Sequence, residues 1–110
     1  MANRICLLFK EDFDLIPQYD IEYIESMDSF CKVFRRSTNK FHVVYMRINE
    51  IEPCLSKDVF CRTHKGFIVS LDHIDKISRE KTRLCMRSGK WIPVGRIFQQ
   101  KLLSRFIFLR

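Results

Sequence analysis

The stretch VFCRTHKGFIVSL, residues 59–71, decides how the chain is read. Val59-Phe60 and Phe67-Ile68-Val69 are β-branched and aromatic, the residue types that favour a pleated, half-buried backbone. Between them stands a basic knot, Arg62-Thr63-His64-Lys65-Gly66. Two strand-like runs joined by a short link predict a hairpin, with the glycine admitting a backbone conformation or a close approach that a side chain would block. Alternation then puts Phe67 and Val69 on one face and Ile68 on the other.

Working outward, the same short-strand pattern recurs. Residues 20–26 (DIEYIES) alternate, Met27-Asp28-Ser29 reads as a tight turn, and residues 30–35 (FCKVFR) alternate again. Ser37-Thr38-Asn39 leads into residues 40–46, KFHVVYM. Ile48, Ile51 and Leu55 recur at three and four residues, which predicts a short helix that Pro53 limits. Residues 74–78, 83–87 and 91–94 are three further brief strands separated by the polar turns 79–82 and 88–90. In GRIFQQKLLSRFIFLR, Ile97, Phe98, Leu102 and Phe106 fall at helical spacing. The expected fold is mainly β: short antiparallel sheets and hairpins with a small central helix and a short C-terminal helix. Acidic residues dominate 11–20 and Pro17 breaks the run. Residues 1–19 therefore read as an N-terminal arm or linker remnant with one short strand near Ile5 to Phe9, ahead of a domain at 20–110.

A chain of 110 residues forms one domain and buries roughly 60–70% of its unfolded surface, so it needs no staple to fold. No apolar run approaches the roughly 20 residues of a membrane span, and MANRICLLFK lacks the features of a signal sequence, so a cytoplasmic location is expected. The five cysteines include no CxxC pair and read as reduced, mostly buried thiols. Cys61-x-x-His64 has a spacing that could share a zinc ion but lacks a second such pair, so no metal and no cofactor are expected. No GxSxG, HExxH or glycine-rich phosphate loop occurs, and no enzyme is expected.

Charge is more informative. Residues 1–60 hold 8 Lys/Arg against 10 Asp/Glu, and residues 61–110 hold 12 against 3, so a net −2 half is followed by a net +9 half. That asymmetry favours a polyanionic partner, either nucleic acid or an acidic membrane surface.

Three segments in order carry a resemblance. FCRTHKGFIVSLDHIDKI, the later IPVGRIF and the earlier DIEYIES resemble the strand-loop-strand, closing and opening motifs of the LytTR-type DNA-binding domain, of the LytR/AlgR family of response regulators. The resemblance covers about residues 20–108. It implies loops, rather than a recognition helix, entering the major groove of promoter DNA, commonly at direct repeats with a second copy bound alongside. It also implies the output end of a response regulator, with an upstream receiver or membrane partner, or a standalone regulator.

Carried over by position, the resemblance assigns base contacts to Lys65 and Arg96 and a further contact near Cys31 and Lys32. It assigns backbone or phosphate contacts to Arg47, Gly66, Gly95, Lys81 and Arg83. Lys and Arg chemistry agrees, since both donate to guanine O6 and N7, Arg in bidentate geometry. The chain departs from the family pattern at Gly66 and Gly95, where serine is usual, and at Ser70, where asparagine is usual. The cysteine thiol of Cys31 is a poor base reader. His64 is expected to order the loop, Arg62 to clamp a carboxylate such as Glu25, and Trp91 to pack on a sheet. The competing expectation is a basic protein binding nucleic acid or a membrane surface without sequence preference.

Overall fold

Alternating side chains send the two faces of one sheet into two separate cores, and the remaining elements cover those cores. The computed structural model describes residues 4–110. Strands β1 (Arg4–Phe9) and β2 (Asp12–Pro17) form an antiparallel hairpin. Strands β3 (Ile21–Ser26), β4 (Cys31–Arg35), β5 (Phe41–Val44), β6 (Phe60–His64) and β7 (Phe67–Ser70) form an antiparallel sheet in the order β5-β4-β3-β7-β6. Strands β8 (Ile74–Ile77), β9 (Arg83–Met86) and β10 (Trp91–Pro93) form a third sheet in the order β10-β9-β8. Helix α1 (Ile48–Ile51) runs into a 3-10 turn at Glu52–Cys54, and helix α2 (Arg96–Leu103) follows β10. Among the described residues no helix is long and apolar enough to cross a membrane.

The first core takes Ile21, Ile24, Val33, Phe60 and Ile68 from one face of the central sheet, closed by Leu7 and Ile16 of the hairpin and by Ile48 and Ile51 of α1. The second takes Tyr23, Cys61 and Val69 from the other face, closed by Leu84 and Met86 of β9, Ile92 of β10 and Leu102 of α2. Ile68 and Val69 are 1% and 0% exposed in different cores, with Phe67 half-buried against the second, so the register read from the alternation holds. Each such buried aliphatic contributes about 1.5–3 kcal/mol of burial free energy.

Burial on the second face also reaches the phenol of Tyr23, which desolvation, with Glu22 and Glu25 adding to it, pushes up to about 12. Phe34 stacks on that ring at a centroid distance of 4.4 Å.

One strand was not expected. Residues 12–17 lie in the acidic stretch, yet they pair along the whole of β1, from Phe9↔Asp12 to Arg4↔Pro17. Ile16 faces the first core, whereas Phe13 and Leu15 point outward at 61% and 51% exposure. The polarity of the alternation is thus reversed over most of β2. Its turn, moreover, puts Lys10 at a φ of 58° with no glycine or asparagine to announce it.

Candidate nucleic-acid interface

The hairpin of β6 and β7 turns at Lys65–Gly66, and one arginine ties that turn down. The Arg62 guanidinium donates from Nε to the His64 carbonyl at 2.9 Å and from Nη2 to the Lys65 carbonyl. Its Nη1 donates to Asn49 Oδ1 at 3.0 Å and to Glu52 Oε1 at 2.7 Å, binding the turn to the α1 segment. A carboxylate clamp was expected, with Glu25 as one example, and the sheet shows why the carboxylate is not Glu25. Arg62 lies opposite Ile68 and shares its face toward the first core, whereas Glu25 lies opposite Phe67 on the other face.

His64 orders the turn, as its residue type suggested. The Gly66 N–H donates to His64 Nδ1 at 3.1 Å, which requires a bare Nδ1, and the ring meets Phe67 edge-on at 6.0 Å. The same imidazole supports the N-terminus of α2. A Cβ on Gly95 would stand 3.6 Å from His64 Cδ2 and a tight 3.2 Å from Phe98 Cδ2, while the Gly95 N–H donates to the Thr63 carbonyl at 2.7 Å. Gly95 therefore lets α2 seat against β6, bringing Arg96 to the same end of the molecule as Lys65. Both cations are exposed.

Gly66 is different. Its φ is not in the left-handed region, and a Cβ there would meet only His64 Nδ1 at an ordinary 3.6 Å. The turn's own backbone does not demand glycine, so that part of the sequence expectation is corrected. What remains is approach from outside.

The other predicted positions flank this centre. Arg47, exposed at the start of α1, lines an open concavity together with Ser26, Asp28, Lys65 and Gly66. Its backbone N–H is capped by Glu50 at 3.0 Å. The turn before β9 docks on α2: Gln99 Nε2 donates to the Lys81 carbonyl at 2.7 Å, and Val94 N–H to the Thr82 carbonyl at 2.8 Å. Lys81 sits at a φ of 64° with its ammonium 6.0 Å from the Phe108 ring. Arg83 stacks 4.1 Å over Trp91, so the indole packs on a cation as well as on the sheet. Sequence reasoning missed the roles of Asn49 and Gln99, which bear no local signal and act only through contacts made on folding.

A cross-strand row, Lys32↔Glu25↔Phe67↔His64, leads from β4 to this centre on one face of the sheet. Lys32 is half-buried with Nζ 4.7 Å from the Phe41 ring. Cys31 is 0% exposed in the first core. Burial pushes its thiol pKa up despite Arg62 and Ser26, so the side chain offers nothing to a base and that assignment is corrected. Cys61 is likewise buried, in the second core, and its thiol pKa is pushed up by burial against the pull of Arg105 and Lys101. Among the described residues no group of three His, Cys, Asp or Glu side chains gathers as a metal site.

A family model for the LytTr DNA-binding domain matches residues 12–106. The sensory transduction protein LytT of Bacillus anthracis and that of Bacillus cereus are each 26% identical over 103 residues, covering 91% of this chain. The chain spans 41% of the length of these curated relatives. A solved LytTr DNA-binding domain from Bacillus cereus, described as part of a methyl-accepting/DNA response regulator, superposes with a TM-score of 0.76 at 26% identity. That likeness covers 94% of this chain and 99% of the other.

Proposed function

The chain belongs to the LytTR DNA-binding domain family, and on that premise we propose that it reads specific sites in duplex DNA as the output module of a transcription regulator. Lys65 and Arg96 donate to base edges in the major groove, Arg96 in bidentate fashion to guanine. Arg47, Lys32, Lys81 and Arg83 contact phosphates, and the Gly66 and Gly95 positions let phosphate oxygens come close to the backbone. The observation that carries this reading is the meeting of two loops on one imidazole: His64 bonds Gly66 and packs beneath Gly95. Two cations distant in sequence thereby project from one rigid end with no carboxylate partner among the described residues.

In this reading residues 20–110 carry recognition, and within the preceding 1–19 segment the β1–β2 hairpin is an arm laid against them. A pair of direct repeats places two copies in the same orientation, and an upstream receiver or membrane-linked sensor supplies the signal in the cytoplasm. The module binds and does not turn over a substrate. The +9 of residues 61–110 favours a second reading, sequence-blind binding to any polyanion.

Repeated rounds of selection from a library of random duplexes separate the two. Enrichment of one recurring motif is the expected result. Retention of duplexes with no enriched motif would establish the sequence-blind reading instead.

A further inference from the structure

β6 is an edge strand, and between the α1 segment and α2 its outer side opens into a cleft of about 350 Å³ that DNA reading does not use. The floor is apolar, made by Leu55, Phe60, Cys61 and Ile68. The rim is cationic, made by Lys57, Arg62, Lys101 and Arg105. Glu52 is the one carboxylate in the lining, and Arg62 already pairs with it. Lys57, Lys101 and Arg105 are in no ion pair among the described residues. Arg105 also donates to the Lys57 carbonyl and so closes one end of the cleft. Lys101 and Arg105 both pull on the buried Cys61 thiol, so their field reaches the floor.

A neutral molecule would leave that rim unmatched, and a bare inorganic anion would leave the floor unfilled. The volume lies in the roughly 300–1,000 Å³ range of small-molecule pockets, which join an apolar lining to a few placed polar groups. We propose that this cleft binds a small amphipathic organic acid, its carboxylate on Lys101 and Arg105 and its apolar body over Phe60, Cys61 and Ile68. Occupancy is transmitted to the Lys65–Gly66 turn, because Arg62 lines the cleft and holds the carbonyls of His64 and Lys65. The site goes beyond the DNA-binding reading, and its test uses no DNA.

The test is a titration of the ¹⁵N-labelled chain with sodium 2-naphthoate, with 2-naphthol and inorganic phosphate as controls. Saturable amide shifts are expected at Leu55, Cys61 and Lys101, together with Lys65 and Gly66, and binding of both controls weaker by about tenfold or more. Lys101→Glu and Arg105→Gln alter exposed residues, leave the spectrum dispersed, and should each weaken naphthoate by about tenfold. Equal binding of naphthol, shifts shared with phosphate and confined to Lys65, Gly66 and Arg96, or no shift at all would each overturn the site. Shifts in the cleft without shifts in the turn would overturn the coupling.

Discussion

The two ends of strands β3 and β4 treat charge in opposite ways. At the end where β3 begins, Asp20 is buried and saturated: Arg35 Nε donates to it at 2.9 Å, the Ser37 N–H at 2.9 Å and the Ser37 hydroxyl at 2.7 Å. At the other end, Ser26 N–H bonds the Gly66 carbonyl at 2.8 Å, and the exposed cations Lys65, Arg96 and Arg47 are in no ion pair among the described residues. Charge that is paired inside the fold holds the fold. Charge left unpaired at its surface adds little to stability and builds the field that attracts a polyanion. The comparison therefore separates mutations that unfold the molecule from those that silence it.

Salt separates the two kinds of charge most strongly. If Lys32, Arg47, Lys81 and Arg83 each neutralise a phosphate, duplex affinity should fall about a hundredfold for a fourfold rise in salt, from a log-log slope of about −0.9 per contact. The urea midpoint should scarcely move over the same range. A flat binding constant would place the cations off the DNA.

Next is Asp20→Asn, which should cost about 1.5–3 kcal/mol, the range for hydrogen bonds to a charged group, and leave DNA affinity per folded molecule unchanged. Burial pushes the Asp20 carboxyl up, but Ser37 and Arg35 outweigh it and hold it below the ordinary carboxylate range. A depressed value means that the stabilisation is complete above about pH 5 and is lost as pH falls from there through the folded value. The gap between the urea midpoints of wild type and variant should narrow as pH falls from about 7 to about 3. Parallel curves would remove Asp20 as the cause.

The two glycines give the smallest effects. Gly95→Ala should destabilise by about 1 kcal/mol, since the new methyl crowds Phe98 at 3.2 Å. Gly66→Ala should stay within about 0.5 kcal/mol, since its methyl finds ordinary space. Any loss of DNA affinity in Gly66→Ala then reports the approach of the partner rather than a damaged turn, and thermal melting alongside a binding titration distinguishes them.

Most strands were legible because their period-2 patterns end at polar turns, and the helix spacing in residues 96–103 survives into α2. β2 was not, because outward Phe13 and Leu15 invert the usual sign of the alternation and Lys10 makes a positive-φ turn without glycine. Lys65 and Arg96 were recognisable as residue types within quoted motifs, but their convergence was not, since it depends on His64 touching both loops. Arg62 was expected to clamp a carboxylate, and it does. Which carboxylate depended on the face of the sheet it projects from, set by its pairing with Ile68.

In the proposed function Lys65 and Arg96 read bases while the surrounding cations only attract. Titration of Lys65→Ala, Arg96→Ala and Lys81→Ala against a selected duplex and a random one separates these two roles. The first two should each lose about 1–3 kcal/mol on the selected site and much less on the random one, whereas Lys81→Ala should weaken both alike. Equal losses on the two duplexes for Lys65→Ala and Arg96→Ala would contradict base reading and leave both residues as electrostatic anchors.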